Sequence, residues 1–167
     1  FRRVLFRSVT SATTIAVSGI AEANATVRVT ANAVTYATTA SASGDWSVTG
    51  VGVLPEGALT FTIAVEDAAG NSTSTTLGVT IDTTAPSVPV VASPAATNST
   101  TPAITGTGTP GMTVVVADGG RKLGTTTVDG SGNWSLTPGT ALAEGDHAIS
   151  ARQVDVAGNA SALSTTF

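Results

Sequence analysis

Cysteine is absent from this chain of 167 residues, which removes disulfides and thiolate metal centres as ways of holding it together. Histidine occurs once, at His147, so a Ser-His-Asp relay or a histidine-rich zinc site would have to be built on that one imidazole. Aromatic residues make up 4%, too few for an obvious sugar-stacking platform. Charged residues make up 11%, and the acidic pairs that occur (Glu66-Asp67 and Glu144-Gly145-Asp146) fall in no evident cleft. No Gly-x-x-x-x-Gly-Lys phosphate loop is present, and Gly119-Gly120-Arg121-Lys122 reads as a hairpin by context. No apolar run approaches the ~20 residues of a membrane span. Together these absences point away from an enzyme and away from membrane insertion by this stretch of chain.

The net charge is −4, and the first eight residues, FRRVLFRS, distort it. They hold Arg2, Arg3 and Arg7, three of the seven basic residues; without them four basic residues face eleven acidic ones. Such a surface repels phosphate backbones, which argues against a nucleic-acid partner. It suits an exported, solvated protein able to hold divalent cations. The octapeptide has no long apolar core and no small-residue cleavage site, so it is no signal peptide. Residues 1–12 read as an atypical segment, either a junction or a replacement of the true first strand, with an ordinary strand A as the alternative. The missing cysteines leave two compartments open: the cytosol, or the exterior with something other than disulfides as a staple.

What remains is rich in Thr, Val, Ala, Ser and Gly, with no sustained helical period, and this composition favours short strands between turns. The chain also repeats itself. Val17-Ser18-Gly19 parallels Ile104-Thr105-Gly106, and Gly44-Asp45-Trp46-Ser47 parallels Gly132-Asn133-Trp134-Ser135. Leu54-Pro55-Glu56-Gly57 parallels Leu142-Ala143-Glu144-Gly145, and Asp67-Ala68-Ala69-Gly70-Asn71 parallels Asp155-Val156-Ala157-Gly158-Asn159. Gly19 matches Gly106 at an offset of 87, and Trp46 matches Trp134 at 88, so one residue is inserted between the blocks. Four collinear blocks imply two copies of one unit, residues 13–82 and 83–167.

Each copy reads as about seven strands, the pattern of an immunoglobulin-like Greek-key β-sandwich, which makes the chain all-β with two sandwiches in tandem. In the second copy the strands are expected near 88–91 (A), 103–106 (B), 112–117 (C), 123–127 (D), 133–137 (E), 147–154 (F) and 162–167 (G). Period-two alternation in strand F of the first copy puts Phe61, Ile63 and Val65 inside. The matching positions in the second are Ile149, Ala151 and Gln153, and the glutamine is expected near the sheet end, where its amide finds a partner. Trp46 and Trp134 share one strand phase and read as core anchors. His147 matches Leu59, so the unit does not require it, and a surface histidine at a strand start is expected.

Between the copies lies Ile81-Asp82-Thr83-Thr84-Ala85-Pro86. Pro86 fixes its own φ and pushes Ala85 into an extended conformation, so the connection is stiff. With the Asp82 to Pro86 stretch, the Gly-x-Trp-Ser pair and the Asp-x-Ala-Gly-Asn pair, the sequence resembles the bacterial immunoglobulin-like repeats of giant secreted adhesins and biofilm proteins of Gram-negative bacteria. The resemblance covers about residues 13–167. It implies a stiff stalk of tandem domains on the cell surface, whose partners are neighbouring repeats of the same chain, with any host or matrix ligand elsewhere in the protein. It also implies Ca2+ at the junctions, and it tips the compartment to the outside.

Calcium takes six to eight oxygens from carboxylates, amides, carbonyls and water. In a Greek-key sandwich, strand A starts at the end carrying the B–C, D–E and F–G loops, which would set Asp82 beside the F–G loop of the second copy. Asp82, Asp155 and Asn159 are the expected ligands, with carbonyls near Thr84 completing the shell and Asp129 of the D–E loop as a helper. Asp67 and Asn71 are the equivalent loop of the first copy, where the acidic partner before strand A is missing and weak or no binding is expected. The alternative for all of these loops is a well-formed turn, with glycine at positive φ and aspartate capping locally. Asp118, beside Gly119 and Gly120, reads as hairpin chemistry. A module that itself binds carbohydrate or a host protein, and an accessory module of an exported hydrolase, remain the other two readings.

Overall fold

The computed structural model describes residues 9–92 and 96–165, so the opening octapeptide lies outside the described residues. The chain divides into two compact units between Thr83 and Thr84. Strands account for all the regular structure among the described residues.

The first unit has seven strands: β1 (Val9–Thr10), β2 (Ile15–Ile20), β3 (Thr26–Ala31), β4 (Val34–Thr39), β5 (Asp45–Val51), β6 (Gly57–Glu66) and β7 (Ser72–Ile81). One sheet runs β1-β7-β6-β3-β4, and β2 pairs with β5 in the other. Val9–Thr10, inside the segment set apart as 1–12, joins the first sheet by parallel pairing with β7. Alternation builds the core: Phe61, Ile63 and Val65 of β6 turn inward while Thr60 and Thr62 face solvent. They meet Val17 of β2 and Trp46 and Val48 of β5 in one cluster, which closes the sandwich. Burying each large apolar side chain contributes about 1.5–3 kcal/mol, so this face dominates the unit's stability.

The second unit contains β8 (Val90–Val91), β9 (Ile104–Thr107), β10 (Thr113–Asp118), β11 (Arg121–Thr127), β12 (Asn133–Leu136) and β13 (Ile149–Val154). These fall within two residues of the expected strands A to F. The sheets are β11-β10-β13 and β12-β9-β8, joined by a core of Val91, Ile104, Val114, Val116, Trp134 and Ile149 among others. The fourth strand, β11, pairs with β10 and so stays in the sheet of β13. Gly119 and Gly120, both at positive φ, make a two-residue hairpin that leaves no chain for a crossing. The β10–β11 ladder carries a register shift between Val116 and Ala117, and Arg121 and Lys122 stand exposed on its outer strand.

The strand expected at 162–167 is where the unit differs from expectation, and its last two residues lie outside the described ones. As far as Thr165 the chain forms only an irregular ribbon along β13. Val154 bridges Ala160, Ser161 N donates to Gln153 O at 2.9 Å, and Ser164 N donates to Ala151 O at 2.7 Å. In return, Ala151 N donates to Ser164 Oγ at 3.0 Å and Gln153 N to Ser161 Oγ at 3.0 Å. Serine hydroxyls thus take the N–H groups that a ladder would give to carbonyls, the usual way such side chains compete with regular structure.

Gln153 sits one residue from the end of β13, fully buried, and its amide is satisfied at both ends. Oε1 accepts from Thr109 N and Nε2 donates to Ser87 O, each at 2.7 Å. Both tryptophans are core residues. Trp134 Nε1 donates to Thr107 O at 3.1 Å, whereas buried Trp46 Nε1 has no partner among the described residues. Gly106 is required where it stands, since a Cβ there would collide with the Val90 carbonyl and the Trp134 ring.

Candidate functional site

The acidic loops share one local construction. In the loop between β6 and β7, Asp67 N donates to Asn71 O at 3.0 Å and Gly70 N donates back to Asp67 O at 3.1 Å. The Asp67 carboxylate caps the turn: Oδ1 accepts from Ala69 N at 2.9 Å and Asn71 N at 2.8 Å, and Oδ2 from Asn71 Nδ2 at 2.8 Å. Gly70 supplies the positive φ (88°) that the reversal needs.

The loop after β13 repeats the construction, with a donor to Oδ1 shifted by one residue, from the third position of the loop to the fourth. Asp155 Oδ1 accepts from Gly158 N at 2.8 Å and Asn159 N at 2.9 Å, and Oδ2 from Asn159 Nδ2 at 2.9 Å. Asp129, between β11 and β12, does the same through Oδ1 with Ser131 N and Asn133 N, both at 2.9 Å. The common spacing is Asp-x-x-Gly-Asn, and Asp129-Gly130-Ser131-Gly132-Asn133 carries it as plainly as the F–G loops do. Ser41-x-x-Gly44-Asp45 is a hydroxyl version, with Asp45 N donating to Ser41 Oγ at 3.0 Å.

These donors set the titration of the caps. The Asn71 side-chain amide, then its backbone N–H, holds the Asp67 carboxyl below the ordinary 3.8, against a smaller opposing effect of desolvation. For Asp155, desolvation is the largest single influence and pushes upward. The combined N–H groups of Asn159, Gly158 and Ala157 outweigh it and hold the carboxyl low. Both carboxylates are ionised near neutral pH and already engaged by N–H donors.

Asp82 belongs to the first unit, and Asp129, Asp155 and Asn159 to the second. Asp82 N donates to Thr10 O at 3.0 Å, and the next residue, Thr83, donates through Oγ1 to Glu56 Oε2 at 2.6 Å. In the first unit a groove of about 250 Å³ is lined by Asp67 and Asn71 together with Glu22, a carboxylate that the sequence did not single out. Among the described residues, no three His, Cys, Asp or Glu side chains gather closely enough to hold a metal ion.

His147 carries more structure than its position suggested. Half-buried just before β13, it sets Nδ1 at 2.7 Å from Asp118 Oδ2 and Nε2 at 2.9 Å from Ala143 O. Asp118 Oδ1 also accepts from Ala148 N at 3.0 Å, so the hairpin carboxylate clamps the approach to β13. The Ala143 carbonyl first, and then Asp118, raises the imidazole above its ordinary 6.5.

The family described as bacterial Ig-like domain matches residues 8–83 and again residues 90–167. No curated protein matches the chain. Among solved structures, a Ca2+-stabilized adhesin with which an Antarctic bacterium binds ice is 32% identical, over 95% of this chain and 45% of that one, with a TM-score of 0.48. A tetra-tandem repeat from the extending region of a large adhesion protein is 30% identical, over 93% of this chain and 46% of that one, with a TM-score of 0.39. A 1.5-MDa bacterial ice-binding adhesin is 23% identical, over 95% of this chain and 60% of that one, with a TM-score of 0.46. The chain therefore spans roughly half the length of these structures.

Proposed function

Because the chain belongs to the bacterial Ig-like domain family and carries that domain twice in tandem, we propose that it serves as a structural spacer. In this reading it is a piece of the stalk of a secreted or cell-surface adhesin, and it performs no catalysis itself. The observation that carries the proposal is the repetition of one self-contained module. Each copy closes its own core and ends strand F on the same Asp-x-x-Gly-Asn turn. A unit that closes its own core and is reiterated is suited to setting length. The adhesins with related repeats support the reading by analogy.

The proposal includes Ca2+ as the element that stiffens the junction, held by Asp82, Asp155 and Asn159 with Asp129 as a helper. The donor chemistry fits a hard cation, being carboxylate and amide oxygen throughout. Both Asp155 oxygens already accept N–H groups, so coordination there must compete with the turn, and the Asn159 amide would have to present its oxygen to the ion. At tenfold its dissociation constant a bound ion adds about 1.4 kcal/mol to stability. Calorimetric titration with Ca2+ of the chain beside Asp82→Ala and Asp155→Ala tests the assignment. Saturable binding that either substitution weakens is expected, and equal affinity in all three proteins removes the site. Small-angle scattering tests the spacer role itself: chelation should shorten the maximum dimension without unfolding either unit.

A further inference from the structure

Six asparagines occur in the chain, and five of them begin Asn-x-Ser or Asn-x-Thr: Asn24, Asn71, Asn98, Asn133 and Asn159. Serine and threonine make up a little over a quarter of the residues, so fewer than two such triplets would be expected by chance. In an exported protein this triplet is an acceptor for sugar on the asparagine amide, and it belongs on the surface. The structure separates the five. Asn71 Nδ2 and Asn159 Nδ2 donate to Asp67 Oδ2 and Asp155 Oδ2, so these amides are committed to their own turns. Asn133 lies within β12, beside the core residue Trp134. Asn24 alone has a carboxylate two residues ahead of it, Glu22; the others have Ala69, Ala96, Ser131 and Ala157 there.

Asn24 stands exposed in the turn from β2 to β3, at a left-handed φ of 62°, and its side-chain amide has no partner among the described residues. The matching residue of the second unit is Gly111, also left-handed at 81°, where an added Cβ would meet nothing within 4 Å. That space is open with the unit's own lead-in present, since Ser87 Oγ reaches the same loop at Thr109 Oγ1, 3.2 Å away. A side chain at this corner therefore points into solvent, and a sugar on it has room. Asparagine tolerates such a backbone, and glycine meets the same need at Gly111. The triplet itself is closed off once the unit folds. Ala25 is buried, its N–H donates to Glu22 O at 3.1 Å and its carbonyl accepts from Ala40 N at 2.9 Å. Thr26 is paired with Thr39 and Glu66. Modification here belongs to the chain before β3 is laid down, and the fold then carries the sugar outward.

We propose that Asn24, within Glu22-Ala23-Asn24-Ala25-Thr26, is an N-glycosylation acceptor used before the first unit folds. Such a site presupposes the cell-surface reading given above. The donor is a sugar held at its anomeric carbon as a pyrophosphate ester, on either a polyisoprenyl lipid or a nucleotide. Asn24 Nδ2 forms the bond to the anomeric carbon as the bond from that carbon to the pyrophosphate oxygen breaks. The pyrophosphate ester leaves with the electron pair, and Nδ2 gives one proton to a base of the transferase. Glu22 supplies a charge that a basic group of the transferase can pair with, and Thr26 the hydroxyl that defines the triplet.

The test is mass spectrometry of the whole chain made in a Gram-negative host, with a terminal Asp-x-Asn-x-Thr tag as internal control. In one arm the chain is exported beside a transferase that uses a lipid-linked oligosaccharide. In the other it stays in the cytosol beside one that uses a nucleotide sugar. One glycan mass on the peptide carrying Asn24 is expected in at least one arm, and the arm in which it appears identifies the carrier. Asn24→Gly and Thr26→Val should each abolish it, and Glu22→Gln should lower occupancy at least about tenfold, with the tag modified throughout. The glycosylated chain should keep the cooperative unfolding of the first unit, read by Trp46 in a Trp134→Phe background. A modified tag beside an unmodified Asn24 in both arms overturns the proposal and leaves the spacer reading standing. Equal occupancy of all five triplets, no response to Glu22→Gln, or a glycosylated chain whose first unit no longer folds overturns it as well.

Discussion

Gln153→Met replaces the one fully buried amide of the second unit with a side chain of similar length that neither donates nor accepts. Two hydrogen bonds of 2.7 Å disappear, from Thr109 N and to Ser87 O. Each such bond contributes about 0.5–1.5 kcal/mol net, and a buried group left without a partner costs about 1–3 kcal/mol. Thr109 is half-buried and Ser87 exposed, so water can reach the orphaned groups and the lower figures apply. The expected loss is about 2 kcal/mol. For a unit of this size that lowers the midpoint of thermal unfolding by about 8–16 °C. The two tryptophans, one in each unit, allow the units to be read separately. In a Trp46→Phe background, fluorescence of Trp134 reports the second unit alone, and the transition of the first should stay where it was. A change below about 0.5 kcal/mol, the level of an ordinary surface substitution, would refute the view that this amide ties the start of the unit to its B–C loop.

Three further outcomes are expected. The imidazole of His147 is raised in the folded chain, so its contribution to stability is full below its ordinary value of 6.5 and is lost as pH rises through the folded value. Urea midpoints of the second unit should fall over that window, and His147→Leu should flatten the fall. Asp155 is held low, so its contribution is present above the ordinary 3.8 and lost as pH falls through the folded value; Asp155→Asn should remove that acid-side slope from the second unit while the Asp67 slope persists in the first. Gly106→Ala forces a methyl against Val90 and Trp134, and overpacking of this kind costs about 1–3 kcal/mol, measurable by thermal unfolding with loss of the β8–β9 pairing.

Much of the fold was legible because it rests on local periodicity and on repetition. Phe61, Ile63 and Val65 alternate with polar residues, and the two tryptophans recur in one register, so inward and outward faces follow from the chain itself. The place of β11 was less legible, since strand count alone does not say which sheet a strand joins; the Gly119-Gly120 hairpin decides it. The irregular ribbon along β13 depends on Ser161 and Ser164 capturing ladder N–H groups, a competition that composition does not reveal. His147 looked dispensable because its partner Asp118 lies 29 positions away, a long-range pairing that no pattern announces. Asp129-x-x-Gly132-Asn133 carries the same spacing as the F–G loops, but it lies in a different loop of the unit and so has no Asp-x-x-Gly-Asn counterpart at the repeat offset to mark it.

The register shift in the β10–β11 ladder, where Leu123 of β11 is the extra residue, and the exposed Arg121 and Lys122 of β11 bear on a hazard peculiar to reiterated modules. Two related sandwiches on one chain stay at high local concentration while they fold, and a strand from one can slot into the other. A kink and two cations on an outer strand make that border a poor template for a stranger's backbone. The first unit's border strand, Val34–Thr39, has neither basic residue. Mispairing between the two units during synthesis should therefore begin from β4.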